Sequence, residues 1–296
     1  MEYRMKNEQD YLIAGFRLRA EGDKLTAAMA TLQGFKVFAT DSREGNEPLI
    51  RLVATDEEAP AFSQEMYRST VDDVTSRFGR YEDGYCFASD YADGRGIRMW
   101  NPQDTNVFYL SRDLDPRLLR FTCWIAFGIG IAPHDAVAIH TSVLTYQGKA
   151  VLFLGESGTG KSTHTRLWRE YIPGAALLND DSPIVRIHDG VPYAYGSPWS
   201  GKTPCYKTER YPLAACVRLS QAPYNKMERL SIPRAYAALH PSCPPDFAYD
   251  DALYDHISRV LNALLGSVPV YHLACLPDEA AARLSCTTIF GQSCAE

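Results

Sequence analysis

Nine consecutive residues constrain this chain more than any other stretch: Gly155, Glu156, Ser157, Gly158, Thr159, Gly160, Lys161, Ser162 and Thr163. They fit the pattern G-x-x-x-x-G-K-[ST]. Three glycines within six residues let the backbone turn tightly and aim successive N–H groups at one point, a nest suited to phosphate oxygens. Lys161 adds a point charge for the β- and γ-phosphates of a nucleotide. The Ser162 hydroxyl can ligate a Mg²⁺ that bridges them. A helix beginning here also points the positive end of its dipole at the same anion.

The flanks agree with that order. Residues 150–154 are a continuous apolar run, Ala-Val-Leu-Phe-Leu, as expected of a buried strand. Beyond the loop, Leu167, Trp168, Tyr171 and Ile172 recur at helical spacing until Pro173-Gly174 ends the pattern. Strand, glycine loop and helix together predict a nucleotide-binding α/β core.

With 296 residues, the chain has room for one large domain or two modest ones. A net charge of −6 argues against wholesale binding to nucleic acid, which leaves a basic footprint. The eight cysteines show no C-x-x-C spacing, so they read as small buried apolar residues more than as a disulfide framework. The first residues lack the apolar core of a signal peptide, and the greasiest run, 123–132, is too short to span a bilayer. The expectation is a cytoplasmic protein without membrane contact.

Residues 1–112 alternate short β-like runs (11–16, 35–38, 49–53, 85–87 and 107–110) with turns such as Glu82-Asp83-Gly84 and Ala92-Asp93-Gly94. Residues 56–76 are acidic and polar, and read as a loop or a short helix. This part is expected to be a β-rich accessory region, followed by a catalytic region over 113–296. Within the latter, a helix is expected from 115 to about 131, and segments 136–144 and 150–154 should form a hairpin around Gln147-Gly148. Further strands are expected near 183–187, 191–195, 214–219 and 268–273, with helices over 254–265 and 278–284.

Asn179-Asp180-Asp181 closes the apolar run 175–178, and Asp180 lies eighteen residues beyond Ser162. Ligands of α/β sheets sit at the carboxyl ends of strands. One carboxylate there can hold Mg²⁺ and another can take a proton from an attacking hydroxyl. Neighbouring strand residues point to opposite faces, so the two should not share one task. By analogy with other such loops, Asp180 is assigned to the metal and Asp181 to the acceptor, an assignment that can be reversed. His140 lies fifteen residues before Gly155; it can bind metal or relay a proton, or be a structural strand residue. Arg218 and Arg229 are candidates for a transition-state arginine or for plain ion pairs. The stretch 195–202, Tyr-Gly-Ser-Pro-Trp-Ser-Gly-Lys, is either an acceptor loop in which Lys202 or Lys207 meets a phosphate, or a surface turn anchored by Trp199. The remaining histidines show no zinc spacing.

Taken in order, His140-Thr141, the loop Gly155 to Ser162 and Leu178-Asn179-Asp180-Asp181-Ser182 resemble the catalytic domain of bacterial HPr serine kinase/phosphorylase. That family carries a histidine before a G-x-S-G-x-G-K-S loop and an Asp-Asp pair about that far after it. Its nucleotide core is shared with ATP-dependent phosphoenolpyruvate carboxykinase. The likeness covers roughly 135–200 and more loosely the rest of the chain. Residues 1–112 do not resemble the family's amino-terminal domain, and 195–202 stands where its acidic, glycine-bearing signature would be.

The resemblance implies a P-loop core of the HPr kinase/carboxykinase type, with ATP on Gly155 to Thr163 and Mg²⁺ on Ser162 and one aspartate. The other aspartate would act as base and His140 would complete the site beside Lys161. The implied activity is phosphoryl transfer to a hydroxyl of a protein, a peptide or a small metabolite, and the hexameric relatives suggest a homo-oligomer. Two alternatives stay open: a carboxykinase-like lyase, and a regulatory nucleotide-binding module without turnover.

Overall fold

The computed structural model describes residues 8–42, 47–82, 84–201 and 203–291. The protein is a mixed α/β chain with two large sheets and, among the described residues, seven helices. It divides into two compact units: Met1–His134 with Pro245–Tyr254, and Asp135–Pro244 with Asp255–Glu296.

The first unit holds strands β1 (Glu8–Ile13), β2 (Phe16–Glu21), β3 (Ala39–Thr40), β4 (Ile50–Ala54), β5 (Gln64–Val71), β6 (Val74–Tyr81), β7 (Gly84–Tyr91), β8 (Gly96–Asn101) and β9 (Val107–Arg112). They form one sheet in the order β3-β1-β2-β4-β9-β8-β7-β6-β5. Helices α1 (Asp23–Thr31), α2 (Gln33–Lys36) and α3 (Pro116–Ile131) accompany it.

Several expectations for this region change. The run 11–16 is two strands, because Ala14 and Gly15 take positive φ and reverse the chain. Residues 35–38 begin in α2 rather than a strand: Phe35 turns inward to stack edge-on against Tyr11. Within 56–76, the polar stretch becomes a loop followed by β5, an edge strand whose exposed positions explain its hydrophilic composition. Of the turn Glu82-Asp83-Gly84, Asp83 lies outside the described residues.

Helix α3 starts where the sequence places it. Asp115 caps it by accepting from the N–H groups of Arg117 and Leu118, and Pro116 occupies the first turn. It belongs to the first sheet, however, packing on β4, β7 and β8. The segment Pro245–Tyr254 joins the same unit through Asp250, which accepts from Arg80 Nε at 2.8 Å and from Tyr85 OH at 2.9 Å.

The second unit holds β10 (Ala136–Ala138), β11 (Thr141–Tyr146), β12 (Lys149–Leu154), β13 (Ala176–Asp181), β14 (Ile184–His188), β15 (Val191–Tyr195), β16 (Arg210–Gln221), β17 (Lys226–Arg229) and β18 (Val270–Cys275). Its helices are α4 (Lys161–Tyr171), α5 (Ile232–Leu239), α7 (Glu279–Phe290) and most of α6 (Asp251–Ser267). The path β10-β14-β15-β16-β12-β11-β13 carries β18 beside β16 and β17 beside β18. The expected hairpin is present: β11 and β12 pair across Gln147 and Gly148, both with positive φ, as a two-residue turn requires.

Strand β12 is central, with β16 parallel on one side and β11 antiparallel on the other. Its last five residues are buried, since both faces are covered. Val151 and Phe153 join a core with Leu167 and Trp168 of α4 and Cys286 of α7. Each large side chain buried there contributes about 1.5–3 kcal/mol. In α6, the expected apolar side of Val260, Leu261, Leu264 and Leu265 is buried at the first three positions, where Ile257 joins it, while Leu265 is only half-buried.

Cys86, Cys123, Cys205, Cys216, Cys243 and Cys275 are free thiols. Cys286 is disulfide-bonded, which departs from the expectation of thiols throughout. Among the described residues, no helix is long and apolar enough to cross a membrane.

Candidate functional site

Antiparallel pairing of β11 with both β12 and β13 makes β13 run parallel to β12. The carboxyl ends of β12 and β13 and the start of β11 therefore share one edge of the sheet. Gly155 follows β12, Asp180 and Asp181 close β13, and His140 stands just before β11. The segment expected as one strand over 136–144 breaks at Ile139-His140, where His140 N–H donates to Ser242 O at 2.7 Å. The break leaves the His140 side chain half exposed at the sheet edge.

The glycine loop turns as its composition predicts. Gly158 and Gly160 have φ of +83° and +106°, conformations that L side chains rarely adopt. A Cβ built on either meets nothing within 4 Å, so open space lies above the loop where an anion can approach. Thr159 closes the turn by donating to Glu156 O at 2.7 Å, and α4 starts directly at Lys161. Ser157 is exposed on the loop and Thr163 is half-buried in the first turn of α4.

Lys161 Nζ donates to Gly155 O at 2.7 Å and Glu156 O at 3.3 Å, and lies 3.1 Å from His140 Nε2. An ammonium has only donors, so Nε2 accepts and the imidazole proton sits on Nδ1. That Nδ1 lies 3.1 Å from Asp181 Oδ1. Burial lowers the Lys161 pKa, and Arg218 pushes the same way, while Asp181 and Asp180 oppose.

Asp180 is 5% exposed. It accepts a hydrogen bond from Ser142, and Ser162 Oγ lies 3.3 Å from each of its carboxylate oxygens. The two aspartates thus have different partners, Asp180 toward the loop serine and Asp181 toward the histidine. Asp181 has φ of +151° and bridges to Ser200. Such backbone persists only where its surroundings hold it, at a cost of about 1–3 kcal/mol. The holding contacts come from the 196–201 loop and from Asn179 itself. Asn179 Nδ2 donates to Trp199 O at 3.1 Å, Ser182 N–H donates to Asn179 Oδ1 at 3.0 Å, and Gly201 N–H donates to Asp180 O. Trp199 is 2% exposed, so this loop is anchored in the core. Lys202 lies outside the described residues, and Lys207 is half-buried.

Among the described residues, no three His, Cys, Asp or Glu side chains cluster to hold a metal on their own. The donors beside the loop are instead hard oxygens, one carboxylate and the Ser162 hydroxyl. That suits Mg²⁺, which takes one or two carboxylates and completes its shell with phosphate and water.

Ser142 is absent from the sequence expectations; its signal is only the cross-strand register Ser142 to Asp180, which no local pattern encodes. Arg218, weighed there as an ion pair, is one: its Nη2 lies 3.6 Å from Glu156 Oε1 of the loop. It stands opposite Leu154 on the parallel strand β16, next to the loop, whereas Arg229 is exposed on β17. No family model matches the chain, and no curated protein matches it at a significant level.

Proposed function

We propose that this protein is a cytoplasmic ATP-dependent phosphotransferase with a P-loop core of the HPr kinase type, moving the γ-phosphoryl group of Mg-ATP onto a hydroxyl. One observation carries the reading. Lys161, Ser162, Asp180, Asp181 and His140 come from three separate stretches of sequence, yet they meet at the carboxyl edge of one sheet.

The loop N–H groups and the start of α4 bind the polyphosphate. Lys161 exchanges its contacts to Gly155 and Glu156 carbonyls for phosphate oxygens, and Ser162 and Asp180 offer oxygen ligands to Mg²⁺. When bound, that ion offsets the charge that develops on the β- and γ-phosphates. Asp181 takes the proton of the acceptor hydroxyl as its oxygen bonds to phosphorus, while the bond to the β–γ bridging oxygen breaks and ADP departs. His140 donates from Nδ1 to Asp181 and keeps the carboxylate oriented. A positioned base of this kind is worth about 10²–10⁴ in rate.

Incubating the protein with γ-labelled ATP, Mg²⁺ and a cell extract of the source organism tests the reading, with Lys161→Ala as the blank. Label above the blank in macromolecules identifies a protein or peptide acceptor, and label in small compounds a metabolite. Transfer no greater than that of the blank overturns the proposal.

A further inference from the structure

Leu177 and Asp180 stand three residues apart on β13, yet both face α4. Leu177 joins the core built with Leu167 and Trp168, and Asp180 meets Ser162. Strict alternation along a strand would put them on opposite faces. The cross-strand register resolves this. Leu144 pairs with Leu177 and Val143 with Asn179, so Leu178 is an extra residue, a β-bulge. Bulges re-aim side chains beside active sites. This one turns Asp180 toward the glycine loop and leaves its neighbours Asn179 and Asp181 to the other face, where the 196–201 loop lies.

On that face Asn179 is fully buried. Its Nδ2 lies 3.1 Å from Trp199 O and 3.3 Å from both Ser197 O and Ser197 Oγ. Its Oδ1 accepts from Ser182 N–H at 3.0 Å. The amide has one orientation only. A backbone N–H donates and a carbonyl accepts, so the amide oxygen must face Ser182 and the amide nitrogen Trp199. One side chain thus spans the Asp180-Asp181 pair and ties it to the loop. The loop answers with two bonds of its own: Ser197 Oγ donates to Ser182 O at 2.5 Å, and Gly201 N–H donates to Asp180 O. Gly201 sits close against the pair. A Cβ built there would lie 3.0 Å from Asp180 O and 3.4 Å from Asp181 Cβ.

We infer that Asn179 is a positioning residue for phosphoryl transfer, acting through Asp181. Its amide holds the backbone at the φ of +151° from which Asp181 Oδ1 reaches His140. The inference rests on the phosphotransferase reading and adds what keeps its base in place. Asp180 is held from the opposite face by Ser142 and Ser162, so loss of Asn179 displaces the base more than the metal side. Misplacing a reacting group by 1 Å costs up to about 10²-fold, so Asn179→Ala is expected to lower kcat by about 10–100-fold. The KM for ATP and the Mg²⁺ dependence should stay within a fewfold of wild type.

Initial rates of transfer from γ-labelled ATP and Mg²⁺ into the cell extract test it in wild type, Asn179→Ala, Gly201→Ala and Asp181→Asn. Each of the first two is also combined with Asp181→Asn. A circular dichroism melt identifies a variant that fails to fold. Gly201 is exposed, so Gly201→Ala crowds Asp181 from the surface and carries the test should Asn179→Ala not fold. Both single variants are expected to lose kcat, Gly201→Ala by the smaller factor. Each double variant should be no slower than Asp181→Asn alone, because a residue that only places the base has nothing left to place. Losses that multiply in the double variants mark a merely structural role and overturn the inference. So does wild-type kcat in the folded single variants, or a loss confined to the KM for ATP or the Mg²⁺ dependence. Wild-type transfer no greater than that of the Lys161→Ala blank overturns the phosphotransferase reading itself.

Discussion

His140 Nδ1 lies 3.1 Å from Asp181 Oδ1, and the opposite edge of the same ring lies 3.1 Å from the Lys161 ammonium. The imidazole thereby links the loop lysine to the carboxylate proposed as base. With Lys161 able only to donate, the ring is left one proton, and that proton faces Asp181.

Replacing Asp181 by Asn keeps the shape and removes the base. Asp181→Asn is expected to slow transfer by about 10²–10⁴ and leave ATP affinity within a fewfold of wild type. Single-turnover rates alongside calorimetric ATP binding check this, and unchanged turnover would mean that the base is wrongly assigned.

Ser142 orients Asp180 from the neighbouring strand. Groups that hold a metal ligand typically tune affinity by about 10–100-fold. Ser142→Ala should shift the Mg²⁺ dependence of transfer to higher concentration within that range, with maximal rate largely restored at saturating Mg²⁺. A rate loss that Mg²⁺ does not rescue would contradict the arrangement.

Arg218 sits beside the loop, held by an exposed glutamate and a 3.4 Å contact to Ala238 O. Charged hydrogen bonds to phosphate are worth about 1.5–3 kcal/mol, so Arg218→Ala is expected to weaken ATP binding at least tenfold. Glu156→Gln frees the arginine from a solvent-screened pair, and should strengthen binding by no more than about fivefold. Fluorescence titration with a labelled ATP analogue distinguishes the two.

Burial lowers the His164 pKa from 6.5 to about 4. The folded state therefore keeps this histidine neutral, whereas the unfolded chain takes up a proton below pH 6.5. Stability is whole above pH 6.5 and is lost as pH falls toward 4, by about 3 kcal/mol in all. Urea midpoints measured from pH 7.5 to 4 should show the loss, and His164→Phe should flatten that part of the profile.

Asp246, 3% exposed, has the opposite sign: burial raises its pKa from 3.8 to about 6. Its charged form is disfavoured in the fold, so its contribution to stability declines as pH rises from 3.8 to 6 and stays low beyond. Asp246→Asn should raise stability at pH 7 by about 2–3 kcal/mol and leave it nearly unchanged at pH 3.5. Thermal melts at the two pH values test this.

How much of the site was legible depended on how local each feature is. The loop, the strand before it and the helix after it are written in contiguous residues, and each forms as expected around Gly158, Gly160 and Lys161. Helix α3 was legible from Asp115-Pro116, yet its packing partners were not, because its all-round apolar surface suits either sheet. Residues 35–38 alternate like a strand but start in a short helix, since the contact of Phe35 with Tyr11 outweighs a four-residue pattern. The roles of Ser142 and His164 are not legible in the sequence, because their partners lie 38 and 121 residues away.

The sequence alone determined the elements whose physics is short-range: the glycine turn, the buried strand, the helix that continues from Lys161, and an acidic pair closing a later strand. Tertiary structure decided what those elements do together. Antiparallel pairing of β11 with both neighbours set β12 and β13 parallel on either side of it, which placed Asp180 against Ser162 and Asp181 against His140. Parallel pairing with β16 and β18 set a cavity on the other flank of the loop. Strand order and register are fixed by side chains packing across the sheet over long sequence separations, and no window of neighbouring residues contains that information.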